Sequence, residues 1–217
     1  MMPQDKLPLF PLGVVLFPGG ELPLHIFEER YKEMIDDCLR DNLEFGVVLA
    51  SEKGMANLGC TAVVERILKK YPDGRMDILA RGRQRFEIIL LDEEKTYLQA
   101  AVVTFGDEAD DKPVPEAARQ RALSAYVSLM MLEHGGLVED MPDANRPDLS
   151  FVLAQPLKDL EFRQQLLAMR SEGERLEALA QYLPAYLERQ KLLRHARRVA
   201  PLNGYARHAA DIEEASS

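Results

Sequence analysis

The sequence lacks the common signatures of chemistry. It has no GxxxxGK[ST] phosphate loop, no GxSxG nucleophile elbow and no HExxH metal helix. Two cysteines, Cys38 and Cys60, are too few for a disulfide framework and form no CxxC pair, so reduced thiols in the cytoplasm are expected, with Cys38 as a small core residue. His134, His195 and His208 are scattered along the second half with no metal-ligand spacing between them. No catalytic residue, cofactor or metal site is therefore expected. No apolar run approaches the roughly 20 residues that span a bilayer, and Met1 to Lys6 has no apolar stretch behind a basic start, so neither membrane contact nor a leader is expected. The net charge of −9 argues against nucleic acid, whose phosphates require concentrated Lys and Arg.

What is present suffices for a sizeable core: 47% of the 217 residues are hydrophobic. The chain is organised around LPLFPLGVVLFPGGELPLHIFEERY, Leu7 to Tyr31. Pro8, Pro11, Pro18 and Pro23 exclude a long helix, because each fixes φ and removes a donor. Short strands are expected at Val14 to Phe17 and Leu22 to Phe27, joined by a Pro18-Gly19-Gly20 turn. From Glu28 the period changes. Tyr31, Met34, Ile35, Cys38 and Leu39 form the stripe of an amphipathic helix.

Further strands are expected at Phe45 to Ala50, Thr61 to Tyr71, Arg75 to Ala80, Arg85 to Leu91 and Thr96 to Phe105. Ser51 to Gly59 reads as a loop, and Pro72-Asp73-Gly74 as a turn. Consecutive strands with one early helix argue for a curled sheet or partial barrel. Gly106 to Pro115 is acidic, proline-bearing and poor in large apolar groups, so it reads as a linker. Helical periodicity follows: a helix with Ala118, Ala122, Tyr126, Leu129 and Met130, closed by Gly135-Gly136; a short one from Asp148 to before Pro156; a third capped by Asp159; and a longer one opened by the Ser171/Glu174 capping box. Pro184 kinks or divides the last.

The opening stretch, together with GCTAVVERI (Gly59 to Ile67), DGRMDILARGRQRFEI (Asp73 to Ile88), FVLAQPL (Phe151 to Leu157) and FRQQLLAMRSEGERLEAL (Phe162 to Leu179), resembles the Lon amino-terminal domain, the substrate-recognition region of Lon proteases. The resemblance runs from about Leu7 to Leu187. It implies an α+β fold with a PUA-like pseudo-barrel, and a module that binds unfolded or apolar polypeptide segments, or a protein partner, as an adaptor. A Lon protease also needs an ATPase module and a Ser/Lys peptidase domain, for which these 217 residues have no room. The expected divisions are a β-rich pseudo-barrel with one helix over 1–106, a linker over 107–115, an α-helical bundle over 116–205 and a mobile tail over 206–217.

Several residues carry a sharper reading beside a bland one. Phe17, at the Pro18-Gly19-Gly20 turn, and Met55, in the Ser51 to Gly59 loop, are candidates for apolar peptide contact, or else core. Arg81, Arg83 and Arg85, at a period of two, would share one strand face as a docking strip for an acidic partner, or else form a solvated face that Gly82 bends. His25, between Leu24 and Ile26, is a base or ligand, or else a hydrogen-bonded structural histidine. A small enzyme assembled around His25 and the arginine strip is the alternative function. The basic run Arg189, Lys191, Arg194, Arg197 and Arg198 either contacts an acidic partner or complements the negative end of a helix. Glu139 with Asp140, and Asp110 with Asp111, are adjacent loop acids and not a placed acid and base.

Overall fold

The computed structural model describes residues 6–108, 115–135 and 141–214. Two compact units divide the chain: Met1–Pro113 with Asn145–Arg175, and Val114–Ala144 with Leu176–Ser217.

The first unit holds six strands: β1 Leu7–Leu12, β2 Glu21–Ile26, β3 Phe45–Ser51, β4 Gly54–Lys70, β5 Met76–Asp92 and β6 Gln99–Phe105. They lie in the order β2-β5-β4-β3-β1-β6, and β6 also pairs with β5, which closes the sheet into a pseudo-barrel. The long β5 makes closure possible: its first half, Met76 to Arg81, pairs with β2, and its second, Arg85 to Asp92, pairs with β6. Helix α1, Glu29–Asp41, buries Tyr31, Met34, Ile35 and Cys38 in the main core beside Phe10, Phe45, Ile78 and Ala80. The Phe10 and Tyr31 rings stack with centroids 4.1 Å apart. Leu39, at the margin of the stripe, remains partly exposed.

Three departures from the expected strands have local causes. The first strand is Leu7–Leu12, while Val14 to Phe17 is irregular. Pro8 sits at the last rung of the β1–β6 ladder and Pro11 lies beyond it, so their missing donors leave few bonds unmade. The segment Ser51 to Gly59 is a hairpin and not a loop: Ser51 pairs with Gly54 across Glu52-Lys53, and Gly54 has φ 116°, open only to glycine. The two expected runs at Arg75 to Ala80 and Arg85 to Leu91 are one strand. Gly82 does not break it but lets another segment approach, since a Cβ there would lie 2.2 Å from the Phe17 carbonyl oxygen. The Gly19 N–H donates to Gly82 O and the Gly82 N–H to Gly20 O, both at 2.9 Å.

The helices also divide differently from a single bundle over 116–205. Helices α3, Leu149–Ala154, and α4, Leu160–Ala168, belong to the first unit, as do the opening residues of α5, Glu172–Glu214. Buried Arg163 shows why: its guanidinium donates to the carbonyls of Ala154, Gln155 and Leu157 and to Val15 O at 2.7 Å. Phe151 stacks on Phe17 at 5.2 Å. Asp159 caps α4, accepting from the Phe162 N–H at 3.0 Å, and Ser171 Oγ accepts from the Glu174 N–H at 3.2 Å.

The second unit contains α2, Glu116–His134, and the remainder of α5. Ala118, Ala122 and Leu129 of α2 are buried, as are Leu176, Leu179, Leu183 and Tyr186 of α5. Gly135 ends α2 in the left-handed conformation. Helix α5 continues through Pro184 and on to Glu214, so helical backbone extends into the expected tail; residues 215–217, most of the expected linker (109–114) and the pairs Asp110/Asp111 and Glu139/Asp140 lie outside the described residues.

Candidate functional site

A groove of about 770 Å³ opens in the first unit between the β3–β4 hairpin and α4. One wall comes from a bulge. Val48 pairs with Gly59 and Ala50 with Met55, so Ala56, Asn57 and Leu58 of β4 stand opposite the single Leu49 of β3. Extra residues in one strand of a pair disrupt its ladder and re-aim its side chains. Here Ala56, Asn57 and Leu58 all line the groove together with Leu49.

The other wall is one face of α4. Leu160, Glu161, Gln164, Gln165 and Ala168 recur at the spacing of one helical face, whereas Arg163, Leu166 and Leu167 of the same helix are buried. The walls are tied together: Gln164 Nε2 donates to Leu58 O at 2.9 Å. The partner oxygen, Gln164 Oε1, is buried without a hydrogen bond among the described residues. Aliphatic and methyl groups (Leu49, Ala56, Leu58, Leu160, Ala168) dominate the lining, while Ser51, Asn57 and the glutamines add hydroxyl and amide groups. Such a surface suits an apolar side chain on a main chain that still needs hydrogen bonds.

A second cluster is structural. Arg85 is only 3% exposed and donates to Leu167 O at 3.2 Å, to Met169 O, and to Asp107. Arg175, fully buried, donates to both Asp107 oxygens, to Ser150 Oγ at 2.8 Å and to Glu172 Oε2 at 2.8 Å. Burial alone would raise the Asp107 carboxyl, but the hydrogen bonds and charges of Arg175 and Arg85 outweigh it and hold the group below its ordinary value. Desolvation lowers Arg85, which remains charged beside Asp107. Asp107, expected in a linker, is thus the shared counter-ion of two buried arginines.

The residues singled out from sequence are dispersed. Phe17 is fully buried between the Phe151 ring and the Arg163 guanidinium, 4.6 Å from its centroid, so it offers no surface to a peptide. Met55 packs half-buried against Leu9, Val48, Phe86 and Ala100, on the barrel side of the hairpin and away from the groove lining. The arginine strip breaks up because β5 bulges: Arg83 and Gln84 stand opposite Thr61 alone, whose Oγ1 accepts from the Gln84 N–H at 3.0 Å. The extra residue turns Arg85 inward, while Arg83 stays exposed and Arg81 pairs with Glu21 and Glu65. The place an acidic partner would take at Arg85 is filled by Asp107.

His25 is partly exposed, and its Nδ1 donates to Asp77 Oδ1 at 2.5 Å, with Tyr71 Oη donating to Asp77 Oδ2 at 2.8 Å. It lies at the opposite end of β2 from the rung that Glu21 makes with Arg81, so no site joins His25 to the strip. The basic run from Arg189 lies within α5 and not at its end, since the helix continues to Glu214; the side chains of Arg197 and Arg198 are outside the described residues. Among the described residues no cluster of three His, Cys, Asp or Glu could hold a metal, and no helix is long and apolar enough to cross a membrane. The groove residues escaped sequence reasoning because a bulge on one wall and a helix 100 residues later on the other leave no joint pattern. The one available signal was the polar pair Gln164-Gln165 within FRQQLLAM.

Residues 6–196 match the family model described as the ATP-dependent protease La (LON) substrate-binding domain. Lon protease 2 of Myxococcus xanthus is 32% identical over 146 residues, covering 64% of this chain and 17% of the relative. Lon protease of Roseiflexus castenholzii is 26% identical over 246 residues, covering 97% of this chain and 30% of the relative. The chain therefore spans less than a third of the length of these relatives. Among solved structures, the Lon N-terminal domain protein from Xanthomonas campestris aligns with a TM-score of 0.66 at 25% identity, covering 82% of this chain and 98% of that one. The N-terminal domain of Mycobacterium avium complex Lon protease shares the fold, with a TM-score of 0.65 at 17% identity over 83% and 98% of the two chains.

Proposed function

Since the chain belongs to the LON substrate-binding domain family, we propose that it is a polypeptide-recognition module or adaptor that binds exposed apolar segments without unfolding or cleaving them. The groove between the β3–β4 hairpin and α4 carries this reading, because it combines an aliphatic floor with amide groups suited to a main chain. The sheet edges are less suited. Pro23, which has no N–H, sits in the middle of β2, and the outer part of β4 is broken by bulges at Glu65 and Leu68 and charged at Lys69 and Lys70. The reading requires no cofactor, metal or nucleic acid.

Ala168 is exposed at the last turn of α4 and lines the groove, so Ala168→Arg fills the groove while placing a cation where the helix dipole favours one. Anisotropy titration with a labelled unfolded peptide should show at least about tenfold weaker binding to this variant, roughly the value of one well-buried apolar side chain, with an unchanged urea melt. Unchanged affinity would remove the groove from the binding surface.

A further inference from the structure

The groove also has a length, a hydrogen-bonding need and a charge, and together they describe its occupant. Along α4 the lining runs the whole 9-residue helix from Leu160 to Ala168, about 12 Å from first to last at the helical rise. That is the reach of roughly four residues of extended chain. Within this length Gln164 Oε1 is a buried acceptor with no partner among the described residues, while its Nε2 is committed to Leu58 O. A buried acceptor left unmade is costly, and because Gln164 itself lines the groove, a small turn of its amide would bring Oε1 to the groove surface, where a main-chain N–H of a bound segment answers it.

Charge supplies the third element. Glu52, on the hairpin turn, and Glu161, in the first turn of α4, line opposite walls, and neither forms an ion pair among the described residues. Lys53 is the single cation among the lining residues, which leaves the lining at a net −1. The aliphatic lining thus carries two carboxylates without an ion-pair partner among the described residues. We propose that the groove selects an extended segment of about four apolar residues flanked by Lys or Arg, with its main chain donating to Gln164 and its basic flanks meeting Glu52 and Glu161. This rests on the polypeptide-recognition reading above and adds the substrate class to it.

The test uses the intact chain and two labelled peptides with the same apolar core, one flanked by lysines and one by glutamates. At low salt the lysine-flanked peptide should bind about five- to tenfold tighter, the sum of two exposed ion pairs, and the difference should shrink toward unity at 0.5 M salt as screening sets in. The double variant Glu52→Lys/Glu161→Lys should reverse the preference. A control, Asp36→Lys/Glu93→Lys, makes the same change in net charge at exposed positions outside the groove lining and should preserve it.

Equal loss of preference in both double variants would assign the selectivity to the overall charge of −9 and overturn the inference. Equal binding of the two peptides by the wild-type chain, still abolished by Ala168→Arg, would overturn the charge selection while leaving the recognition reading in place. Absence of binding by either peptide would overturn both. Loss of Gln164 is read separately: Gln164→Leu should weaken binding of the amide peptide several-fold, yet make no difference to a peptide in which the contacting amide is replaced by an ester. A variant that discriminates amide from ester as well as the wild type does would remove Gln164 from the contact.

Discussion

Replacing Asp107 by alanine should cost about 3 kcal/mol of folding stability, the lower end of the range for removing one partner of a buried ion pair, because the two arginines are buried while the Asp107 side chain itself is 33% exposed. The carboxylate faces two cations that have almost no access to water: Arg175 is fully buried and Arg85 is 3% exposed. Without Asp107, Arg85 keeps, among the described residues, the Leu167 and Met169 carbonyls and the faces of Phe105 and Phe151, and Arg175 keeps Ser150 Oγ, Met169 O and Glu172, so the one remaining carboxylate leaves Arg85 without a counter-ion. Asp107→Asn preserves shape and one acceptor and should cost less. Against a total stability on the order of 5–15 kcal/mol, the alanine change removes a large fraction. Urea unfolding followed by circular dichroism and tyrosine fluorescence suits a chain with no tryptophan and 7 tyrosines. An alanine variant that loses less than about 1 kcal/mol would show that the network behaves as a surface ion pair and would refute the argument.

Acid should act on the same carboxylate and on Asp37, which hydrogen bonds from Lys95, Tyr97 and Arg40 hold well below the ordinary 3.8. Because Asp37 and Asp107 are both depressed in the folded state, the stability they contribute is present above about pH 4 and is lost as pH falls through their folded values; urea midpoints at pH 7 and pH 3 measure it, and equal midpoints would contradict it. Burial pushes the Cys38 thiol up to about 11 and the Cys60 thiol up to about 12, so Ellman's reagent at pH 8 should label neither in the native chain and both in urea. Gly82→Ala should destabilise by about 1–3 kcal/mol, because the new methyl meets the Phe17 carbonyl and displaces the Gly19 and Gly20 hydrogen bonds; a neutral change in the melt would show that the approach is not tight. Finally, the purified chain should neither hydrolyse Mg-ATP nor cleave unfolded casein, and activity that copurifies with it through several columns would sink the non-catalytic reading.

The sequence by itself determined the elements whose causes are local. The 3.6-residue stripe from Tyr31 to Cys38 specified α1, the Asp159 and Ser171 side chains capped their helices, Pro156 limited α3, and the Pro72-Asp73-Gly74 turn joined β4 to β5. The order of the family-like segments likewise carried the fold. What only the tertiary structure decided depends on partners far along the chain. Alternation along β5 put Arg81, Arg83 and Arg85 on one face, but the extra residue opposite Thr61 reversed the side of Arg85, and the register of a neighbouring strand is not written in the strand itself. Phe17, left open by its turn between peptide contact and core, became core because α3 and α4 cover it; Asp107, read from its acidic surroundings as linker, became the counter-ion of two buried arginines, one of them 68 positions away. The groove is the extreme case. Leu58 and Gln164 are 106 positions apart, and their hydrogen bond exists only because the fold brings a β-bulge and a helix face together. Periodicity records which face of an element is apolar; only packing chooses what that face meets.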